Sequence, residues 1–263
     1  MGVSIAYATC HEHALVDVRL YLPKGWAKDR ARPKRRGIPG GERYRTRRGL
    51  APEMLEEAGP PLPHGWVAGD NEMGRSSRSR AGLRRREERY LLAVPSNTTV
   101  RDLEAEPPER GGRGRPPKRA FEQARAWAGS RPPGSWRRIE VGDGERGQNV
   151  VELVATRVVA RTDRGRIGPE ELLAVLRGRD EAGATKQDYD LSDPPPETLP
   201  ADLPPPMILL AKCQAGTAAV ISRTKAHVLV ASRGASASQS TTRKMSIAAA
   251  VARCWRCVFA RPA

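Results

Sequence analysis

Apolar residues alternate with small or polar residues through the first 22 positions of the chain. Val3, Ile5 and Tyr7 form one alternating series, and a second series runs from Ala14 to Leu22. A period of two is the pattern of a β-strand with one buried face, so the sequence predicts two strands. Because the chain enters the first strand with no preceding turn or cap, we also expect that sequence is missing upstream.

The pattern changes over the next segments. Residues 23–46 are basic and poor in apolar residues, and they are expected to form a surface segment. Residues 47–58 predict a helix that ends at Gly59-Pro60, because apolar residues recur at helical spacing. These residues are Leu50, Met54 and Leu55. Pro52 lies inside the segment, so the helix could instead start there, since proline is tolerated in a first turn.

The run Trp66–Asp70 ends an apolar stretch with an acid. A basic segment compatible with a helix, Gly74–Arg89, and a short apolar segment, Tyr90–Val94, follow it. The order predicts strand, acid, helix and strand. The carboxyl ends of strands in open α/β sheets hold side chains towards a ligand, so Asp70 is a candidate site residue. Glu72 is interpreted as a helix-start acid, which the helix dipole favours.

The second half of the chain divides by composition. Residues 104–135 are rich in Pro, Gly and Arg and predict a loop or linker. Residues 136–192 predict a β-rich region, because strand-like runs alternate with charged turns. The runs are Arg138–Val141, Val150–Arg161, Leu172–Arg179 and Gln187–Leu191. Gly168–Glu171 could open a helix instead; we favour a strand.

A proline-rich segment at 193–206 leads into a tail without acidic residues. From Leu203 to Ala263 there is no Asp or Glu. Low complexity and unopposed charge argue against a packed core, so the segment 193–263 is expected to be disordered. The unopposed basic residues are Lys212, Arg223, Lys225, Arg233, Arg243, Lys244, Arg253, Arg256 and Arg261.

The net charge of the chain indicates which class of molecule it binds. The chain has 46 basic and 30 acidic residues, a net charge of +16 and a pI near 10.5. Most of the excess is arginine, which binds phosphate through paired hydrogen bonds, so nucleic acid is the expected partner. The alternative is a solvated arginine-rich surface encoded by a GC-rich genome.

We expect neither a membrane span nor a signal peptide. No apolar run reaches the ~20 residues that a membrane helix needs, and the N-terminus lacks a basic region followed by an apolar core. Cys10, Cys213, Cys254 and Cys257 are too few for a disulfide scaffold. We therefore expect a cytoplasmic protein with reduced thiols and no membrane partner.

Two small constellations could bind a metal. His11 and His13 flank Glu12 and would point the same way on a strand, but a polar turn between strands is the preferred interpretation. Cys254 and Cys257 have CxxC spacing without a second pair or partnering histidines, so a chance pair is preferred.

Several runs, taken together, carry a family resemblance. The runs are Val3–Thr9, His13–Lys24, Trp66–Arg75, Glu88–Val100, Gly112–Pro116 and Asp188–Ser192. In this order and spacing, over about the first 200 residues, the chain resembles bacterial insertion-sequence transposases of the DDE class. Several ordered runs are more specific than any single motif.

The resemblance implies an RNase H-like fold, a mixed sheet with helices on both faces, and residues 136–192 would be the β-rich insertion common in this group. It implies three acids, two Asp and one Glu, that hold two Mg²⁺ or Mn²⁺ ions for DNA cleavage and strand transfer. It also implies DNA, at transposon ends, as the partner, and the chain could form a homo-oligomer.

Asp70 matches the second acid of the family and is assigned as the catalytic and metal-binding residue. The first acid belongs to a strand upstream of the segment that begins at Gly2, so it has no counterpart. Asp17 is no substitute, because it falls mid-pattern on the next strand. The third acid belongs to an Arg-Ile-Glu-Glu type helix after the insertion, and Arg138–Glu140 comes too early to be that motif.

Basic runs suggest where DNA would bind. Arg32–Arg36 and Arg84–Arg86 could contact phosphate, or form a solvated charged face. Gly111–Lys118 resembles a minor-groove clamp, although a loop is the more economical interpretation. The candidate DNA-binding residues are Arg75, Arg84, Arg85, Arg86, Arg113, Arg115 and Lys118.

The prediction is therefore an α/β protein with four parts: a partial RNase H-like core at 1–103, a linker at 104–135, a β-rich insertion at 136–192 and a basic tail at 193–263. We interpret it as a DDE transposase by descent, truncated at the N-terminus and out of frame after about residue 200. Metal would not bind productively, and activity would be low or absent. The alternatives are a non-enzymatic DNA- or RNA-binding protein and an unfolded product.

Overall fold

The computed structural model describes residues 2–8, 13–22, 24–25, 44–107, 119–144, 147–179, 184–193 and 227–233 of the 263-residue chain. The strands are β1 (Gly2–Ala8), β2 (His13–Leu20), β3 (Trp66–Gly69), β4 (Tyr90–Ala93), β5 (Thr99–Asp102), β6 (Glu122–Gln123), β7 (Arg137–Gly144), β8 (Gly147–Arg161), β9 (Ile167–Arg179), β10 (Thr185–Ser192) and β11 (His227–Arg233). The α-helices are α1 (Arg47–Ala58), α2 (Asn71–Gly74), α3 (Ser77–Arg85) and α4 (Ala124–Gly129), and a short 3₁₀ helix spans Pro133–Ser135.

All the described strands belong to one mixed sheet. Its order is β2-β1-β11-β3-β4-β10-β9-β8-β5-β6, and β7 pairs with β8 at the side of this path. Strand β3 runs parallel to both of its neighbours, β11 and β4. The remaining pairs are antiparallel. A mixed sheet with few helices confirms the predicted α/β class and is consistent with an RNase H-like fold.

The first predicted elements are confirmed, with one correction. Strands β1 and β2 cover the two alternating series, and α1 covers the predicted helix. Pro52 lies inside α1 and does not start it, because the helix begins after Thr46, whose hydroxyl accepts a hydrogen bond from the Gly49 amide at 3.1 Å. The apolar face of α1 is buried against the sheet and holds the helix in place through Leu50, Ala51, Met54 and Leu55.

The single charged helix expected over residues 74–89 is two shorter helices, α2 and α3. Gly74 ends α2 where the chain passes close to β4: a Cβ added at Gly74 would lie 2.0 Å from the carbonyl oxygen of Ala93. This contact requires glycine. Helix α3 ends before Glu87, whose φ of 58° is incompatible with a continuing right-handed helix.

Residues 104–135 contain a helix where a loop or linker was expected. In α4, Trp127 is buried and its indole nitrogen donates a hydrogen bond to Asp102 at 2.7 Å. The hydroxyl of Thr156 donates to the same carboxylate at 2.9 Å. Burial acts to raise the pKa of Asp102, but these hydrogen bonds outweigh it and lower the pKa. Because Pro and Gly residues surround this short helix, the sequence pattern did not predict it.

The β-rich half of the chain continues the same sheet. Strand β10 pairs with β4, with Asp190 opposite Ala93 and Leu191 opposite Leu92. Residues 168–171 lie in β9, so the favoured strand is observed there. Strand β11 lies between β1 and β3 and comes from the segment 193–263, so the expectation of disorder is wrong for residues 227–233. The other residues of 194–263 are outside the described residues.

Two hydrophobic clusters lie on one face of the sheet. The first joins helices α1, α2 and α3 to β1, β3 and β4, and the second joins α4 to β5, β8, β9 and β10. Leu92 of the first cluster and Leu191 of the second are paired across adjacent strands, so the clusters share a face. Each of the four α-helices contributes to one of the two clusters.

A buried polar network connects the two halves of the sheet. Arg80 of α3 donates from Nε to Oε1 of Glu171 on β9 at 2.7 Å, and the Tyr90 hydroxyl on β4 donates to the same oxygen at 2.5 Å. Arg80 also donates to the Gly74 carbonyl. Arg80, Tyr90 and Glu171 are at most 5% exposed. Burial, followed by the adjacent carboxylate, raises the pKa of Tyr90, so its proton stays in the network.

We predict that Arg80→Met lowers the free energy of unfolding by roughly 3–5 kcal/mol, because it leaves the Glu171 carboxylate buried without its partner. Arg78→Met is the matched control, since Arg78 is exposed on the same helix. It should change stability by less than about 0.5 kcal/mol. Urea unfolding followed by circular dichroism measures both. Equal effects would contradict a special role for the buried pair.

Candidate functional site

Asp70 lies at the carboxyl end of β3, immediately before α2. Its Oδ1 accepts hydrogen bonds from the amides of Glu72 at 3.0 Å and Met73 at 3.2 Å, so Asp70 is the N-cap of the helix. The four residues of β3 are all buried, which fixes the strand that carries it. The side chain of Glu72 points to basic neighbours, with Arg47 at 3.7 Å and Arg48 at 4.0 Å.

The strand register gives the neighbours of Asp70 across the sheet. Gly69 is level with Val230 on β11 and with Leu92 on β4. Because both pairs are parallel, the next residue on each strand, Ala231 or Ala93, is level with Asp70. Neither position carries a carboxylate. The strand that follows in the sheet, β10, places Asp190 opposite Ala93.

Asp190 is therefore the nearest acid in this row, two strands from Asp70. At about 4.8 Å per strand, their Cα atoms are roughly 10 Å apart. Asp190 is 1% exposed, and its Oδ2 has no hydrogen-bond partner among the described residues. Burial, followed by the nearby charge of Asp188, raises its pKa to about 7, although Lys186 acts in the opposite direction. At neutral pH this carboxyl group is substantially protonated.

Sequence reasoning did not identify Asp190. The available signal was the alternation Asp188-Tyr189-Asp190, which places two acids on one face of a strand and Tyr189 on the other. Tyr189 belongs to the cluster beneath α4, so Asp190 lies on the face opposite to that cluster. Its position in the row through Asp70 depends on the pairing of β10 with β4, and no local sequence pattern predicts this pairing.

The other acids considered from sequence lie elsewhere. Asp17 is on β2, three positions from β3 in the sheet order, and it accepts a hydrogen bond from Arg19 at 3.1 Å. Glu140 is on β7, beyond β8. Within the described residues, no group of three or more His, Cys, Asp or Glu side chains could hold a metal ion. Asp70 thus has no carboxylate cluster around it in the described part.

The four predicted DNA-binding residues that the structure describes divide into two groups. Arg75 and Arg85 are exposed at the ends of α2 and α3. Arg84 is half-buried and pairs with Asp193 at 2.8 Å, and Arg86 pairs with Glu56 at 3.0 Å, so both guanidinium groups serve intramolecular contacts. The remaining three, Arg113, Arg115 and Lys118, lie outside the described residues.

Several other predicted features also fall outside the described residues. They are the run Arg32–Arg36, His11 and Glu12 of the histidine cluster, and all four cysteines, Cys10, Cys213, Cys254 and Cys257. No helix in the described part of the chain is long and apolar enough to cross a membrane.

We predict that Asp190→Asn raises stability above pH 7 and has little effect below pH 4. The pKa of the folded state is raised from 3.8 to about 7. The folded chain therefore holds a proton that the unfolded chain has lost, and wild-type stability falls as the pH rises through this window. The slope is about 1.4 kcal/mol per pH unit. Thermal or urea unfolding at several pH values measures it. A pH profile that Asp190→Asn leaves unchanged would contradict this assignment.

Comparison with known proteins identifies the family of the chain. Residues 1–148 match the family model of the DDE superfamily endonucleases, and no curated protein matches the chain. The matched segment contains β1, β2, β3, Asp70 and β4, whereas β10 and β11, which complete the row through Asp70, lie outside it. Members of this superfamily are DNA-directed, transposase-like nucleases that generally use divalent metal ions. The chain belongs to the DDE superfamily endonucleases.

Proposed function

We propose that this chain descends from an insertion-sequence transposase and binds transposon-end DNA, with an incomplete set of catalytic acids. The observation that supports the proposal is the row through Asp70, in which the level positions on both neighbouring strands are Ala231 and Ala93. Asp70 itself lies where the family's second acid is expected, at the end of a buried parallel strand.

The chemistry of a complete site sets the requirement. A pair of divalent ions activates the attacking water or 3′-hydroxyl group and stabilises the leaving oxygen. Two ions need several carboxylates from different elements around them. The described residues of this chain do not fit such a pair, because Asp70 lies between two alanines and Asp190 is enclosed two strands away. Strand cleavage by this chain is therefore expected to be weak or absent.

The composition after residue 202 supports a second part of the proposal. From Leu203 onwards the chain has no acid, so an Arg-Ile-Glu-Glu type helix has no place in it. We propose that this segment is read out of the ancestral frame. Translating the other forward frames of the encoding DNA beyond codon 200 tests this directly. Absence of such a helix in every frame would contradict it.

The second candidate function is a non-enzymatic nucleic-acid-binding protein without end specificity, favoured by the net charge of +16. Two measurements separate the candidates. Nicking of supercoiled plasmid with Mg²⁺ or Mn²⁺ reports catalysis. Affinity for inverted-repeat DNA and for scrambled DNA, measured over a range of salt concentrations, reports specificity and phosphate contacts. Equal affinity for both DNAs, without nicking, favours the second candidate.

We predict that Asp70→Asn leaves nicking at the same background level as the wild-type chain, because its partner acids are missing. Asn is also a good N-cap, so stability should change little, whereas Asp70→Ala should cost about 1 kcal/mol through the lost cap of α2. A plasmid-nicking assay and urea unfolding measure these effects. Robust wild-type nicking that Asp70→Asn abolishes would show that other carboxylates complete the site.

We predict that Ala231→Asp creates a divalent-ion site, because it places a second carboxylate at the position level with Asp70 on β11. Calorimetric titration with Mn²⁺ should detect binding that is weak or absent in the wild-type chain. The matched control is Ala231→Asp combined with Asp70→Asn, which should lose that binding. If the two variants bind Mn²⁺ equally, the level position does not contribute to a shared site.

A further inference from the structure

The turn of the β8–β9 hairpin is fixed to the start of helix α3. Asp163 in the turn accepts hydrogen bonds from the Ser76 hydroxyl and the Ser77 amide, both at 3.2 Å. In the other direction, the Asp163 amide donates to the Ser77 hydroxyl at 3.1 Å. The N-cap residue, Ser76, makes no side-chain capping bond of its own. The carboxylate of Asp163 therefore satisfies this helix end from a distant part of the chain.

The turn itself is internally hydrogen-bonded. The Thr162 amide donates to the Arg166 carbonyl at 2.8 Å, and the Gly165 amide donates to the Thr162 carbonyl at 2.8 Å. Gly165 has a φ of +71°, a conformation that favours glycine. Arg161 closes the turn by donating to the Gly165 carbonyl at 2.8 Å. The backbone that carries the basic side chains of the turn is therefore held in one position.

Six arginines surround this junction, and we name them the arginine strip. In the described part of the chain, none of them forms an ion pair with a carboxylate. The strip continues from the end of α2 through the hairpin turn to β5. Its members are Arg75, Arg78, Arg101, Arg161, Arg164 and Arg166.

At its β5 end, the strip is ordered by an aromatic ring. The guanidinium groups of Arg101 and Arg161 each lie 4.2 Å from the centre of the Phe121 ring. Two cations on one ring repel each other, and an anion nearby would reduce this repulsion. Among the described residues, the enclosed Nε atom of Arg101 has no hydrogen-bond partner. Stacked guanidinium groups keep their outer hydrogen-bond donors available for an anion.

The acids near the strip are engaged in other contacts. Asp163 caps α3, as described above. Glu170 pairs with Arg157 at 3.0 Å, and Glu72 lies 3.7 Å from Arg47. In the described part of the chain, none of these three acids therefore forms an ion pair with an arginine of the strip.

We propose that the arginine strip binds the phosphate backbone of duplex DNA, and that the contact between Asp163 and α3 holds it in line with Asp70. The inference rests on the proposed function and names the surface that performs it. A row of guanidinium groups, two of them held against the Phe121 ring, fits a regular row of phosphates better than an irregular acidic protein surface, since each guanidinium fork can bind one phosphate. Arg75 follows α2, the helix that Asp70 caps, so the strip begins beside Asp70.

The first experiment compares two double variants of the full chain. Arg164→Gln with Arg166→Gln changes the strip. Arg137→Gln with Arg138→Gln is the control, with the same charge change on exposed residues of β7. Arg137 is level with Leu153, roughly 30 Å along β8 from the turn. Binding to a duplex is measured by fluorescence anisotropy in EDTA from 50 to 200 mM salt, conditions under which nicking cannot contribute.

We expect the strip variant to reduce the slope of log affinity against log salt by about 2, at about 0.9 for each lost phosphate contact. The control should change the slope by much less. If the wild-type chain binds DNA steeply and both variants change the slope equally, the strip is not the binding surface, and the proposed function survives. If the wild-type chain does not bind DNA, both the proposed function and this inference fail.

The second experiment tests the positioning by Asp163. Asp163→Ala removes one negative charge, so the net charge of the chain rises by one. It also releases the turn from α3. We expect the affinity of this variant for duplex DNA to fall severalfold. Tighter binding would show that only the net charge matters and would overturn the positioning by Asp163.

A third experiment uses a polyglutamate chain of equal charge as a competitor for the wild-type chain. Polyglutamate should displace duplex DNA poorly, and equal competition would favour an acidic protein partner instead.

Discussion

The ion pair between Arg80 and Glu171 is the contact on which the rest of the structure depends. It joins α3, which follows Asp70, to β9 of the β-rich half, and Tyr90 of β4 shares the same carboxylate oxygen. Glu171 and Arg80 are both buried, so neither charge could be accommodated without the other. The pair therefore determines how the helical layer and the β-rich half are placed together. The hydrogen bonds between Asp163 and the start of α3 repeat the same connection at the protein surface.

The chemistry available to Asp70 depends on the residues of the two neighbouring strands. In a parallel sheet, a carboxylate at a strand end acts with residues at the same level on adjacent strands, because these are about 4.8 Å away. Asp70 has the required position, the required strand and a helix that fixes its side chain. The level positions on the two neighbouring strands are Ala231 and Ala93, so neither position supplies a carboxylate beside Asp70. Asp190 lies in the same row but two strands away, and burial raises the pKa of its carboxyl group, which disfavours the charged form that a metal ligand needs.

Local pattern predicted local structure well. The alternation in β1 and β2, the helical spacing of Leu50 and Met54, and the apolar run that ends at Asp70 each predicted the element that is observed. What the sequence could not provide was pairing between distant strands. The insertion of β11 between β1 and β3 joins residues more than 150 positions apart, and no periodicity encodes such a contact. Helix α4 was missed for a different reason: Trp127 is stabilised by Asp102 and Thr156, which are distant in sequence.

DNA binding and metal chemistry place different demands on this sheet. Metal binding needs several acids at one point, so the loss of one carboxylate has a large effect. Phosphate binding needs only a series of cations at suitable spacing, and each contributes a separate increment. The arginine strip, which runs from the end of α2 through the hairpin turn to β5, shares no residue with the row through Asp70. We therefore expect the loss of acids from the row through Asp70 to leave the proposed DNA-binding surface intact, because Asp163 and Phe121 hold the arginine strip.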